Sequence, residues 1–133
     1  MKIGIIGGGF MGKAFMRGIL RAKVAQPSEV TVAEIFEQRR VELAQQGVNV
    51  TEDAVSAVEG AELVLLAVKP QDFQTTAEAL QGEIEEDAVV MSIAAGVALA
   101  SVQQHTAHDT CVRVMPNLPA AVGEAAVAYL RSP

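Results

Sequence analysis

The apolar run Lys2–Ile6 breaks at once into Gly7-Gly8-Gly9-Phe10-Met11-Gly12, and a segment of helical period follows. No other feature restricts the fold of this chain so tightly. A strand that turns through glycines into a helix opens a βαβ unit, and glycines at 7, 9 and 12 give the spacing G-x-G-x-x-G. Each glycine has its own task. Gly7 permits the tight turn out of the strand, Gly9 removes a Cβ so that a pyrophosphate can approach the backbone, and Gly12 lets the helix lie close to the sheet. The helix start, with Phe10 and Met11, offers unpaired N–H groups and a partial positive charge to phosphate oxygens. A P-loop is disfavoured, because Gly12-Lys13 is followed by Ala14 and no G-K-[ST] closes the motif.

The rest of the chain repeats the alternation. Strands are expected at Lys2–Ile6, Val30–Ala33, Leu63–Val68, Ala88–Ile93, Thr110–Met115 and Ala125–Leu130, with a weaker one at Val48–Val50. Several are apolar on consecutive residues, as parallel strands covered on both faces are. Helices are expected over Met11–Lys23, with Met11, Ala14, Phe15, Gly18, Ile19 and Ala22 on the apolar face, and over Phe36–Gln46, with Phe36, Leu43 and Ala44. A short helix around Ala54–Ala61 takes Thr51 as its N-cap. Pro70 opens another, which buries Phe73, Thr76, Ala77 and Leu80. A last one covers Leu99–Gln104. The fold class is therefore α/β, a doubly wound and mostly parallel sheet of Rossmann type, with residues 1–133 as one domain.

Glu34 ends the second strand, close to the ~20 residues beyond the loop at which an acidic side chain binds the ribose of a dinucleotide. A carboxylate there accepts hydrogen bonds from ribose hydroxyls and repels a 2′-phosphate, which favours NAD. Arg39 and Arg40 follow. They either clamp a 2′-phosphate or lie on the solvated face of the second helix, so NADP stays open beside NAD.

Composition excludes other classes. Sixteen acids against ten Lys and Arg give a net charge of −6, and phosphate-gripping nucleic-acid binders are basic. A single cysteine, Cys111, excludes an internal disulfide and a multi-thiolate metal site. It reads as a small core residue. The initial apolar run is too short for a signal peptide or a membrane span, so the expected location is cytoplasmic, with no membrane partner. His105 and His108 read as surface residues and not as metal ligands, and the acids from Glu83 to Asp87 as a solvated loop. Arg113, mid-strand, is expected to pair structurally.

Three further stretches end strands where open α/β sheets bind ligands. They are Ala67-Val68-Lys69-Pro70-Gln71, Ser92-Ile93-Ala94-Ala95-Gly96-Val97 and Arg113-Val114-Met115-Pro116-Asn117-Leu118-Pro119. With the glycine loop, and in this order, they make the chain from Met1 to about Leu130 resemble the N-terminal domain of pyrroline-5-carboxylate reductase. The first motif is common to many dehydrogenases, and the last two are much more specific.

The resemblance implies an oxidoreductase that binds NADH or NADPH and delivers hydride to the C=N carbon of 1-pyrroline-5-carboxylate, making proline. Ala67, Val68, Lys69 and Pro70 would border the ribose and nicotinamide side. Ala94, Ala95 and Gly96 would lie against the nicotinamide region, with Met115, Pro116 and Asn117 nearby. No protein general acid is assigned, since a protonated imine is already an electrophile and orientation carries much of the work. Members of this family continue into an all-helical second domain that builds the homo-oligomer and most of the substrate pocket; that half is absent here. The 133-residue chain is therefore expected to bind cofactor and turn over little substrate. An apolar patch is expected at Asn117–Val122, facing the missing helices. Two alternatives stand beside this one. One is a different NAD(P)-dependent reductase, of hydroxyacid or deazaflavin type; the other is a non-catalytic dinucleotide-binding module.

Overall fold

In a computed structural model of the chain, the described residues are 1–115 and 128–131. Asn117, Pro116 and the expected patch at Asn117–Val122 lie outside them. The strands are β1 (Ile3–Ile6), β2 (Val30–Ala33), β3 (Asn49–Thr51), β4 (Leu63–Leu66), β5 (Val89–Ser92), β6 (Cys111–Met115) and β7 (Ala128–Arg131). The helices are α1 (Phe10–Arg21), α2 (Glu37–Ala44), α3 (Ala54–Val58), α4 (Pro70–Ala79) and α5 (Leu99–Thr106). A single 3-10 turn at Pro27–Glu29 precedes β2. The sequence pattern did not announce it.

The seven strands form one sheet in the order β3-β2-β1-β4-β5-β6-β7. All neighbours are parallel except β6 and β7, which pair antiparallel with Val112 opposite Arg131 and Met115 opposite Ala128. β1 sits between β2 and β4, in register at Ile3–Val30 and Ile3–Leu63. The chain winds outward from β1 through β2 and β3, then returns to its other side at β4. That reversal opens a crevice at the carboxyl ends of β1 and β4, the place where doubly wound sheets take ligands.

The consecutive apolar residues of the strands are explained by layers on both faces. Ile3 and Ile5 pack with Val30, Val32 and Leu65 under Met16 of α1 and Leu43 of α2. Ile6, Val64, Leu66, Val90 and Cys111 turn the other way, onto Ala57 and Val58 of α3, Phe73, Ala77 and Leu80 of α4, and Val102 of α5. Strand side chains alternate between faces, so both parities must be apolar when both faces are covered.

Three helical expectations are corrected. In α1 Gly12, Ala14 and Met16 are buried. Of the expected face of Met11, Ala14, Phe15, Gly18, Ile19 and Ala22, Ala14 is buried and Phe15 and Ile19 pack partly buried against the core beside Met16, while Ala22 is exposed. Phe36 and Ala44 are exposed and leave Leu43 as the anchor of α2. The N-cap of α3 is Asp53, whose carboxylate accepts from Val55 N at 3.2 Å, while Thr51 Oγ1 accepts from Asp53 N. An ionised side chain beside the helix start is the better acceptor.

Candidate dinucleotide site

The glycine loop is built by backbone constraints that only part of its residues share. Gly7 turns at φ +104°, in the region side chains rarely enter, and a Cβ on it would come 2.6 Å from Ala67 O. A Cβ on Gly12 would overlap the carbonyl of Gly7. Gly7 N donates to Ala33 O at 2.8 Å and Ala67 N to Ile6 O at 2.8 Å, so the ends of β1, β2 and β4 are tied together beneath the loop.

Gly9 differs. It is the N-cap of α1, at φ −74° and ψ −163°, a conformation any residue adopts. A Cβ there would meet only Arg39 Nη1, at 3.7 Å. The protein itself has no need of glycine at this position. The outer side of the loop at this residue is open but for that guanidinium nitrogen.

The first helical hydrogen bond of α1 runs from Lys13 N to Gly9 O at 2.9 Å. The N–H groups of Phe10, Met11 and Gly12 therefore have no acceptor within the helix. No side chain caps them, and the first turn carries no acid. Unpaired donors at a helix start, reached over a bare glycine, fit the oxygens of a diphosphate. Phe10 stands 71% exposed at the rim.

Glu34 is nearly inaccessible, its side chain 4% exposed. Its Oε1 accepts from Gly8 N at 3.0 Å and its Oε2 from Phe36 N at 2.9 Å. The carboxylate thus joins the glycine loop to the turn after β2. Arg39 Nη1 lies 3.4 Å from Oε1, and the guanidinium carbon sits 4.9 Å from the centre of the Phe36 ring. Arg40 Nη1 donates to Glu34 O at 2.8 Å and Ile35 O at 3.0 Å, which closes the same turn. The Arg39 side chain is half-exposed over the Phe36 ring, and that of Arg40 is largely covered.

The other sequence candidates line the same edge. Ala67 and Val68 are half-buried, and Lys69 and Pro70 are exposed at the start of α4, where Lys69 makes no capping bond. Leu66 pairs with Ser92, and Ile93 N donates to Leu66 O at 3.2 Å, so the ends of β4 and β5 are neighbours. Ala94 is buried, with its N–H on Ser92 Oγ at 3.3 Å; Ala95 and Gly96 are exposed in a turn where Gly96 has φ +76°. The structure thereby brings Gly7, Gly9, Gly12, Ala67 and the Ala94–Gly96 turn to one rim.

The remaining residues do other work. His105 and His108 are half-buried and not simply surface residues. His105 Nδ1 lies 3.2 Å from Glu78 Oε2, and His108 Nε2 lies 2.6 Å from Ala88 O. Cys111 is fully buried, as a small core residue should be, and donates to His108 O at 3.1 Å. Arg113 has its Nε buried with no hydrogen-bond partner among the described residues. Among the described residues, no cluster of His, Cys, Asp and Glu could hold a metal ion, and no helix is long and apolar enough to cross a membrane.

The family described as NADP oxidoreductase, coenzyme F420-dependent, matches residues 2–96. The pyrroline-5-carboxylate reductase of Methanosarcina acetivorans is 39% identical over 127 residues, which is 94% of this chain and 47% of that protein. The pyrroline-5-carboxylate reductase structure from Coxiella burnetii superposes with a TM-score of 0.91 at 27% identity, covering 98% of this chain and 49% of that one. The Plasmodium falciparum pyrroline carboxylate reductase, solved with NADP bound, shares the fold at a TM-score of 0.86 and 21% identity, over 99% of this chain and 48% of that one. The chain spans about half the length of the curated relatives it matches. The family match takes in the glycine loop and the β4 and β5 rim, and by it this chain belongs to the NADP oxidoreductases, coenzyme F420-dependent, with its likeness running to the pyrroline-5-carboxylate reductases.

Proposed function

We propose that this chain is the NAD(P)H-binding half of a reductase that converts 1-pyrroline-5-carboxylate to proline. The observation that carries the cofactor part is the bare outer side of Gly9 beside three uncapped N–H groups of α1. The substrate part is supported by the likeness to pyrroline-5-carboxylate reductases over nearly the whole chain. A bound nicotinamide cofactor supplies the hydride. The chain's own residues bind and orient. The loop from Gly7 to Gly12 holds a diphosphate through backbone N–H groups. Ala67 to Pro70 border the ribose, and Ala94, Ala95 and Gly96 leave room for a flat ring at the end of β5. Asn117, outside the described residues, is assigned to the same region.

The experiment is calorimetry of the purified protein with NADH and NADPH at millimolar concentration. Heat of binding that vanishes in Gly9→Val supports the reading; no uptake by the unaltered protein, or undiminished uptake by the variant, overturns it. Proline formation is expected to be little or none with the 133-residue chain alone. Robust turnover would show that these residues hold a complete substrate site.

The name of the matching family favours one second reading, a reductase that exchanges hydride between NADP and a deazaflavin. Assays of the complete gene product separate the two. Imine reduction without deazaflavin supports the first, and NADPH-dependent reduction of deazaflavin with no imine activity supports the second.

A further inference from the structure

The middle of β6 carries a charge where a covered strand calls for an apolar residue. The strand reads Cys111-Val112-Arg113-Val114-Met115. Side chains two apart on a strand share a face, so Arg113 lies on the face of Cys111, which is buried in the layer that holds Phe73 and Val102. Its neighbours in register are Ser92 on β5 and Leu130 on β7. Arg113 is half-buried, and its Nε is buried with no hydrogen-bond partner among the described residues. Lys13, Arg39 and Arg40 each have a carboxylate oxygen, at 3.7, 3.4 and 3.9 Å, whereas no ion pair joins Arg113 to a described acid. A donor taken out of water and left without an acceptor costs its full desolvation, and an apolar side chain would fill this position without that cost. A native protein keeps such a group where something else completes it.

The place of Arg113 says what that is. Ser92 is fully buried, and its Oγ accepts from Ala94 N at 3.3 Å, which holds the start of the Ala94–Gly96 turn. Adjacent strands run ~4.8 Å apart, so Arg113 stands one strand over from the serine that holds this turn. A guanidinium offers five N–H donors in a planar fork that matches a carboxylate. The carboxylate of a small cyclic imino acid projects from the edge of its ring, so its receptor belongs beside the place of the ring and not beneath it. Lys69, on the same rim, is exposed, and a hydrated ammonium has little to gain from a partner.

Resting on the reductase reading above, we propose that Arg113 anchors the carboxylate of the substrate and makes the enzyme selective for ring imines that carry an acid group. The residue does not take part in hydride transfer. It fixes which edge of the ring lies toward β6, and the acid group completes the donor that the fold leaves without an acceptor.

The test uses the complete gene product and two ring imines, 1-pyrroline-5-carboxylate and 1-pyrroline, which lacks the carboxylate. Steady-state kinetics with saturating reduced cofactor are measured for the unaltered protein and its Arg113→Gln and Arg113→Lys variants, with a thermal melt and a cofactor titration of each. The unaltered protein should favour the carboxylated imine about tenfold or more in kcat/KM, mostly through KM. Arg113→Gln should erase most of that preference, and Arg113→Lys should keep part of it. Equal losses on both imines mark a structural role and overturn the proposal, as does an undiminished preference in Arg113→Gln. If neither variant folds, the nitrogen NMR resonance of the Arg113 Nε–H in the unaltered protein decides. L-proline should move it and pyrrolidine, the same ring without the acid, should not; an equal response to both, or none to either, overturns the proposal. Absence of any imine reduction by the unaltered protein would instead remove the reductase reading itself.

Discussion

Gly12 lies so close to the carbonyl of Gly7 that no side-chain atom fits between them. Gly9, between the two, has open space on its outer side. The motif's glycines therefore separate into two kinds. Gly12→Ala should destabilise the fold by ~1–3 kcal/mol, the usual cost of forcing extra atoms into a packed contact. Gly9→Ala should melt within a few degrees of the unaltered protein, yet bind NADPH and NADH much more weakly. Thermal melts paired with calorimetry check both, and undiminished binding by Gly9→Ala would remove the case for a ligand over that residue.

Phe73 is the large side chain that α4 drives into the layer over β4 and β5, and it is 2% exposed. Its ring also meets His105 of α5 edge-on, with centroids 6.5 Å apart. Phe73→Ala should cost ~3–5 kcal/mol in urea denaturation, as a deleted core aromatic does. Near-normal stability would mean that α4 is not anchored there.

Burial pushes the Cys111 thiol up from its usual range; a contact with the Thr106 hydroxyl works against this, and the charge of Asp109 adds to it. The folded state therefore holds this proton more tightly than the unfolded chain. The associated stability is complete below the unfolded thiol's pKa, about 8.5, and declines as pH rises above it. Alkylation by iodoacetamide at pH 8 should be slower in the native protein than in denaturant by at least about a hundredfold, because reaction waits on opening. Cys111→Ala should flatten the alkaline end of the stability profile, and an unchanged slope would contradict the assignment.

Asp53 satisfies Val55 N and also accepts from Ser56 Oγ at 2.8 Å. Asp53→Ala should cost ~1 kcal/mol, the ordinary loss of a helix N-cap, with Asn retaining most of it. Denaturant titration of the two variants tests this.

The alternation of strands and helices and the glycine turn out of β1 were legible because their signals are local. The apolar runs Ile3–Ile6 and Leu63–Leu66 announce strands covered on both sides, and the glycine spacing announces the turn between β1 and α1. What escaped depends on residues far apart in the chain. Nothing in the sequence around Glu34 shows that Gly8, 26 positions earlier, supplies a hydrogen bond to it. The outward turn of Phe36 follows from Arg39 one helical turn later. The hydrogen bond of His108 reaches back to Ala88, a partner 20 residues away that no periodicity reveals.

Because β7 runs against β6, with Ala128 opposite Met115 and Arg131 opposite Val112, the strand heads away from the carboxyl ends of the parallel strands and towards the rim where they begin. The glycine turn opens from the other rim. A fluorophore, affinity handle or surface tether placed at Arg131, on the end of β7 that points away from the crevice, should leave the entrance clear for nucleotide when the protein is immobilised on a sensor chip.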